Sequence, residues 1–331
     1  MLASAQKLGY VRNEAATQLA RKSSDMIGLL LRETRNPAYG YLYDQILAES
    51  FKRNLFVVTM SAGDYYHDRG ELIRMSRLMQ LRPAGIYVAS GLIQSDDIAP
   101  FASQVPTIVL GRMTDIDGLH AVSYNEIAHG NMLADAVAAA GHRRIIVVVT
   151  DDTRSHTEHL RAVTMINRLH EHGAEVLPIT EDNIIRSREL LLQKVRELMK
   201  DRKATAVMFP NDVRALNFMQ DAKNIGMRVP GDIGVSGCDG LGRASELSGL
   251  LTVRMPLENV CSAAAEAMLR VITKVHDPAD LIRISYSGVL QGGKLFSANW
   301  CRLMPIGANW CQAASIGSSG GGIGFDLRNW W

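Results

Sequence analysis

The sequence has no apolar run approaching the roughly eighteen residues that carry a helix across a bilayer; its longest, around Ile145 to Val149, is strand length. Helices threaded through a membrane are therefore not expected. Nor does the opening segment, Met1-Leu2-Ala3-Ser4-Ala5-Gln6-Lys7-Leu8-Gly9-Tyr10, carry the basic start and apolar stretch of a secretory signal, so a cytoplasmic location is expected. Cysteine is scarce. Cys238, Cys261, Cys301 and Cys311 form no CxxC pair and neighbour no histidine pattern, which argues against a disulfide framework or a structural zinc. Charge of one sign is not in excess either: 36 Lys and Arg against 34 Asp and Glu leave a formal +2. That field is too weak to coat a polyanion, so any nucleic-acid contact must come from a local patch.

Catalytic signatures are equally thin. There is no G-x-S-x-G; Gly234-Val235-Ser236-Gly237 is one residue out of that pattern and reads as tight packing at a strand end. His156 and His159, and His170 with His172, make no H-E-x-x-H. Gly237, Gly240 and Gly242 only loosely imitate a dinucleotide loop, and no acidic residue follows at the distance such a loop needs. No catalytic residue, metal ligand or cofactor is expected.

What is present is ordinary globular material, 331 residues with 47% hydrophobic and 21% charged, enough for two domains or one large one. From Asp25 onward, short β-branched runs alternate with stretches whose apolar residues recur every three or four positions, the βαβα signature of a mostly parallel sheet. Met26 to Leu31, Leu55 to Thr59, Ala84 to Val88 and Pro106 to Leu110 read as buried strands, because unbroken apolar runs suit sheets covered on both faces. Helices are expected from Tyr39 to Phe51, with Tyr43, Ile46 and Leu47 inward, and from Glu71, with Leu72, Met75 and Met79 on one face. A second series starts near Asn125: a helix through Leu133, Ala136, Val137 and Ala140 stopped at Gly141, then strands Arg144 to Val149, Ala174 to Ile179 and Ala204 to Phe209 with helices between. Two doubly wound parallel-sheet α/β lobes are the expected fold, with a closed (β/α)₈ barrel as the competing count.

In open parallel sheets a ligand sits beyond the carboxyl ends of the strands. The residues there are Asn36, Ala38 and Tyr39; Ser61 and Asp64; Arg112; Asp151, Thr157 and Arg161; Asn211 and Asp212; and Asp239. Carboxylates, amides, arginines and one ring suit a small polyol, whose vicinal hydroxyls can donate to a carboxylate and accept from a guanidinium. Each has a plainer explanation: Asp212 as a helix N-cap, Arg161 as a surface ion pair, Asp239 and Asp64 as turn residues, Tyr39 as helix packing. After Gly293 the character changes. A decamer repeat (Ala298-Asn299-Trp300-Cys301, answered by Ala308-Asn309-Trp310-Cys311) and a Gly/Ser run follow, all four tryptophans lie in this segment, and residues 294–331 read as a poorly ordered tail foreign to the fold.

Ordered landmarks point further. Leu8-Gly9-Tyr10, Asn13-Glu14-Ala15-Ala16-Thr17-Gln18-Leu19, Ser24 with Ile27-Gly28-Leu29-Leu30, Asn36-Pro37, Gly141-His142-Arg143-Arg144-Ile145, Arg161, Asn211-Asp212, Gly226 to Ile233 and Thr252-Val253-Arg254-Met255-Pro256 together resemble the lactose-repressor (LacI/GalR-type) family of bacterial transcription regulators. The resemblance runs from Met1 to about Gly293. It implies a homodimer of periplasmic-binding-protein-like cores whose two lobes, joined by three chain crossings near Ala121, Leu251 and Arg283, close on a sugar, sugar acid or nucleoside effector. Residues 1–12 are then a remnant of the DNA-binding headpiece and 13–22 the hinge helix. Residues 25–121 with 252–282 form the N-terminal lobe, and 122–251 with 283–293 the C-terminal lobe. By position, Ala38, Tyr39, Thr157, Arg161 and Asp212 match effector contacts, and Ala16 and Leu19 match the hinge that enters the minor groove of operator DNA. Thr17 and Arg12 depart from the family's usual arginine and proline, and the family's reading head precedes the point where this sequence starts, so weak operator binding without sequence preference is expected of this chain. A solute-binding protein for sugar uptake shares the two-lobed core and is the alternative; a sugar-modifying enzyme is a third reading.

Overall fold

A computed structural model describes residues 24, 26–61, 70–276 and 280–292. Asp64, Ala16, Leu19, the headpiece and hinge segments 1–22 and the tail 294–331 lie outside them. The first lobe is a six-stranded parallel sheet in the order β11-β5-β4-β3-β1-β2, built from β1 (Met26–Leu31), β2 (Phe56–Ser61), β3 (Gly85–Ala89), β4 (Thr107–Gly111), β5 (His120–Tyr124) and β11 (Arg283–Tyr286). The second is a four-stranded parallel sheet, β7-β6-β8-β9, from β6 (Arg144–Val148), β7 (Glu175–Ile179), β8 (Ala206–Met208) and β9 (Gly234–Ser236). An antiparallel pair, β10 (Thr252–Arg254) with β12 (Val289–Gln291), abuts β9 through bridges at Ser236–Leu251 and Asp239–Arg254. Two separate sheets exclude a closed eight-stranded barrel.

Both sheets are covered on both faces, as the unbroken apolar strands require. Alternate side chains of β1 make the point. Ile27, Leu29 and Leu31 pack with α1 (Pro37–Phe51) and α10 (Leu257–Ile272), whereas Leu30 joins Met75 and Leu78 of α2 (Gly70–Gln80) and Ile98 of α3 (Ser95–Ala102). In the second lobe Ile145 and Val147 meet Leu133 and Val137 of α4 (Glu126–Ala139) and Met165 of α5 (His156–Glu171). Ile146 and Val148 face Leu191 and Val195 of α7 (Arg188–Arg202) and Phe218 of α8 (Asp212–Asn224). Two short helices, α6 (Asp182–Arg186) and α9 (Arg243–Ser248), complete the described elements.

The crossings fall after Tyr124, after Arg254 and between Tyr286 and Val289, each three residues beyond the expected Ala121, Leu251 and Arg283. Residues 122–124 and 283–286 therefore belong to the first sheet and 252–254 to the second. The reason is hydrogen bonding: each strand keeps its ladder partner, Tyr286 opposite Tyr124 and Arg254 opposite Val289, until the last residue that can pair.

Where the second and third crossings touch, the backbones leave no room for a side chain. A Cβ on Gly288 would lie 2.3 Å from the Arg254 carbonyl oxygen and 2.7 Å from a Val253 methyl carbon. Gly288→Ala is therefore expected to destabilise the chain by about 1–3 kcal/mol, the usual cost of overpacking. Urea unfolding of the two proteins side by side checks this, and equal midpoints would show that the crossings are not packed as described.

Candidate ligand-binding site

The carboxyl ends of the two sheets face one another across a cavity of about 280 Å³. Its size suits a single sugar ring rather than a drug-sized molecule, for which pockets start near 300 Å³. Four helices begin at its rim, each capped by a residue that directly follows a strand or loop from the sheet edge: Asn36 to the Ala38 amide (3.0 Å), Asn125 to Ala128 (2.9 Å), Ser155 to Glu158 (3.4 Å) and Asn211 to Arg214 (2.9 Å). These caps fix where the first turn of each helix delivers its side chains.

Of the residues nominated from sequence, Ala38, Tyr39, Arg112, Thr157, Arg161, Asn211 and Asp239 line this cavity. Arg161 is 1% exposed. Its Nε donates to Glu126 Oε2 at 2.7 Å and its Nη1 to the Pro210 carbonyl, while no described residue accepts from Nη2. It is thus a buried pair, not the surface ion pair that the plainer reading allowed. Arg112 lines the wall but is largely spent: Nε donates to the Ser90 carbonyl (3.1 Å), Nη2 to the Ile93 carbonyl (2.6 Å) and Nη1 to Ser95 Oγ (2.8 Å). Asp239 is different. Its backbone is held on both sides by Val253 and Met255, yet no described residue donates to its carboxyl oxygens. Burial, together with the nearby Asp212 carboxyl and against the pull of Arg161, pushes Asp239 well above the usual carboxylate range.

Asp212 does not line the cavity, which corrects its nomination. The cap of α8 is Asn211, one residue earlier, and Asp212 turns behind the wall. Its Oδ2 accepts from Ser245 Oγ (2.7 Å) and the Gly240 amide (2.9 Å), and Oδ1 from Thr252 Oγ1 (2.7 Å). It sews α8 to the β9–α9 loop and to β10 with neutral donors, and burial raises its pKa despite them.

Six charged residues lining the site were not nominated: Arg32, Glu33, Arg35, Glu126, Glu158 and Arg214. Arg32 is the first residue after β1, so the strand-end rule contained it. Glu158 shares a helix face with Arg161 at i, i+3, and Arg214 stands three residues after the Asn211 cap, spacings that place each pair on one side of its helix. Glu158 Oε2 accepts from Thr150 Oγ1 (2.7 Å) and Oε1 from Asn211 Nδ2 (2.8 Å), with Arg214 Nη2 at 3.8 Å. Burial opposes its charge, but Arg214, these two hydrogen bonds and Arg161 outweigh it and lower its pKa. Glu126 opens α4, immediately past the first crossing, and reaches in two directions. On one side lies Arg161; on the other, His129 Nδ1 stands 3.4 Å from Oε2, and His129 Nε2 accepts the Gly288 amide at 2.8 Å. Because Nε2 accepts, a neutral His129 ring carries its proton on Nδ1, facing Glu126.

Among the described residues no cluster of three or more His, Cys, Asp or Glu could hold a metal, and no helix is long and apolar enough to cross a membrane. Cys238 and Cys261 are buried free thiols.

Two α/β lobes, three crossings and a polar cavity between strand ends define a periplasmic-binding-protein-like core, and residues 134–292 match the periplasmic binding protein-like domain. The HTH-type transcriptional regulator GntR of Pseudomonas aeruginosa is 26% identical over 286 residues, covering 83% of this chain and 81% of that protein. The Lac repressor dimer bound to operator and the anti-inducer ONPF superposes with a TM-score of 0.76 at 19% identity, covering 89% of this chain and 88% of that one. A periplasmic binding protein/LacI transcriptional regulator from Alkaliphilus metalliredigens, complexed with D-xylulofuranose, gives 0.68 at 20% identity, covering 81% and 97%. Over most of its length the chain is similar to HTH-type transcriptional regulators of the LacI/GalR type. Its relatives are regulators rather than enzymes, and the solute-uptake alternative does not fit them.

The buried pair generates a test with a defined pH window. Burial pushes the Glu126 carboxyl up, but Arg161 and His129 overcome it and bring the pKa from 4.5 down to about 2. A depressed folded pKa contributes stability above the unfolded value and loses it as pH falls through the folded one. Glu126→Gln, which leaves Arg161 buried without its counter-charge, is expected to cost about 3–5 kcal/mol near neutrality. In urea titrations the gap to the wild type should narrow as pH falls from 4.5 towards 2; a gap that stays constant over that interval contradicts the pairing. Asp212→Ala should also destabilise, by about 2 kcal/mol, because three buried donors lose their acceptor, and unchanged unfolding by urea would contradict its stitching role.

Proposed function

We propose that this chain is the effector-binding and dimerisation core of a ligand-responsive transcriptional regulator, and that its cavity takes a small hydroxylated metabolite: a sugar, sugar acid or nucleoside. The observation that carries the reading is the Asp239 carboxyl, buried, without a protein donor, and close to the Arg161 guanidinium, whose Nη2 is also open. A carboxyl accepting from one hydroxyl and a guanidinium donating to its neighbour read a vicinal diol, and the Tyr39 ring offers the apolar sugar face a surface. Thr157, Asn211 and Ala38 complete the contacts we assign to the ligand. Asp64 remains assigned by position alone.

Relatives that are HTH-type regulators, and a Lac repressor dimer bound to operator, support a cytoplasmic homodimer whose own contact with operator DNA is weak; Ala16 and Leu19 are assigned to the hinge by resemblance alone. A hinge helix of this length is marginal in water and would form only against DNA and a dimer mate. An effector then alters DNA affinity solely through its preference for one arrangement of the lobes.

A thermal-shift screen of pentoses, hexoses, their acids and nucleosides tests the assignment on the full chain and on Asp239→Asn. A ligand at about one hundred times its Kd stabilises the protein that binds it by about 2.7 kcal/mol. At least one compound should raise the wild-type melting temperature and bind Asp239→Asn about tenfold more weakly or worse, the loss expected for one charge-assisted hydrogen bond. A panel without effect on the wild type, or a ligand indifferent to Asp239, overturns the reading.

A further inference from the structure

The guanidiniums on the cavity wall differ in what holds them. Arg161 is closed by Glu126 at 2.7 Å. Arg112 is met by two carbonyls and a hydroxyl. Glu158, however, lies near two guanidiniums. Arg214 Nη2 approaches it to 3.8 Å, and Arg32 acts on it through space from beyond 4.0 Å. Both Glu158 oxygens already accept hydrogen bonds, from Asn211 and Thr150. One carboxylate cannot neutralise two cations.

Arg32 has neither a carboxylate in direct contact nor the ring of carbonyl and hydroxyl acceptors that holds Arg112. It is half-buried beside the Tyr39 phenol, and among the described residues no carboxylate comes within 4.0 Å; Glu33, Glu71 and Glu158 are felt only at longer range. A guanidinium held away from water without an acceptor is costly, and its planar fork matches a carboxylate or phosphate in paired fashion. Space is available beside it. A second hollow of about 70 Å³ shares Arg32, Glu158 and Arg214 with the main cavity, so an acidic group could approach these guanidiniums without crowding the ring.

We propose that the effector is a polyhydroxylated anion, a sugar acid or a sugar phosphate, whose acidic group docks on Arg32 while its hydroxyls reach Asp239 and Arg161. The proposal rests on the reading of this cavity as the effector site and narrows it. Neutral sugars lack the group that Arg32 requires.

Calorimetric titration of the full chain tests this with D-gluconate, D-glucuronate, D-glucose 6-phosphate and D-ribose 5-phosphate, each beside neutral D-glucose or D-ribose. At least one acid should bind about tenfold or more tightly than its neutral parent. Arg32→Gln should collapse that ratio to near one, and Arg32→Lys, which keeps the charge but not the fork, should retain part of it. Whether the carboxylates or the phosphates lead identifies the acidic group. Parity between acid and parent in the wild type overturns the proposal, and so does an acid preference that survives in Arg32→Gln with an unchanged melting curve. Neutral sugars that bind through Asp239 without any acid preference defeat this inference and leave the broader reading standing; no binding by any compound defeats both.

Discussion

The contact between Arg161 and Glu126 holds the site together. Arg161 comes from α5 in the middle of the second lobe, and Glu126 is the first helical residue after the chain leaves the first. Their charges are nearly sealed from water, where either alone would be expensive, so each depends on the other for its place. Arg161 also donates to the Pro210 carbonyl at the approach to α8, and thereby ties three helix starts into one wall. Glu126 extends the chain of contacts through His129 to the Gly288 amide, which lies in the third crossing. A cation on the cavity wall is thus linked to the backbone that joins the lobes by two side chains and no flexible element. Such a wall is set before any ligand arrives, and the ordering entropy is met during folding rather than binding.

In the proposed regulator, that arrangement confines the lobes to turning as two bodies about the crossings. The crossings are short, and two of them touch so closely that Gly288 admits no Cβ. Motion at such a junction has to turn about the crossings; it cannot spread through a compliant core. A ligand touching Asp239 and Arg161 on one side and Arg32 or Tyr39 on the other would contact both lobes, and only such a ligand discriminates between their arrangements. The size of the allosteric effect is then bounded by how much of its binding energy bridges the gap.

Much of the fold was readable because buried parallel strands advertise themselves. Met26 to Leu31 is apolar throughout and proved buried throughout. By contrast β5, His-Ala-Val-Ser-Tyr, mixes polar with apolar residues although all five are buried. Its His120 accepts the Ile282 amide and its Ser123 hydroxyl reaches the Ile284 carbonyl, partners about 160 residues away by number, which no local pattern can reveal. Missing that strand displaced the crossing and hid Glu126. The strand-end rule brings Tyr39, Arg161, Asn211 and Asp239 to the cavity wall because it depends only on topology. It failed for Asp212 because the choice between cap, ligand contact and tertiary stitch is made by Ser245 and Thr252, distant in sequence and close in space.

The two neighbouring carboxyls, Asp212 and Asp239, show how a folded chain divides work between similar groups. Two buried carboxylates this close cannot both be ionised cheaply, and both are raised above the ordinary range. Asp212 is quieted with hydroxyls and an amide, which carry no net charge, so no cation is drawn away from the cavity to serve it. The nearest guanidinium, Arg161, is already committed to Glu126. Asp239 is consequently left with an electrostatic environment that holds it buried and a hydrogen-bonding environment that leaves it empty. The protein spends its neutral donors on the structural carboxyl and keeps the other in want of a partner, and a hydroxyl on a small guest is the group that answers it.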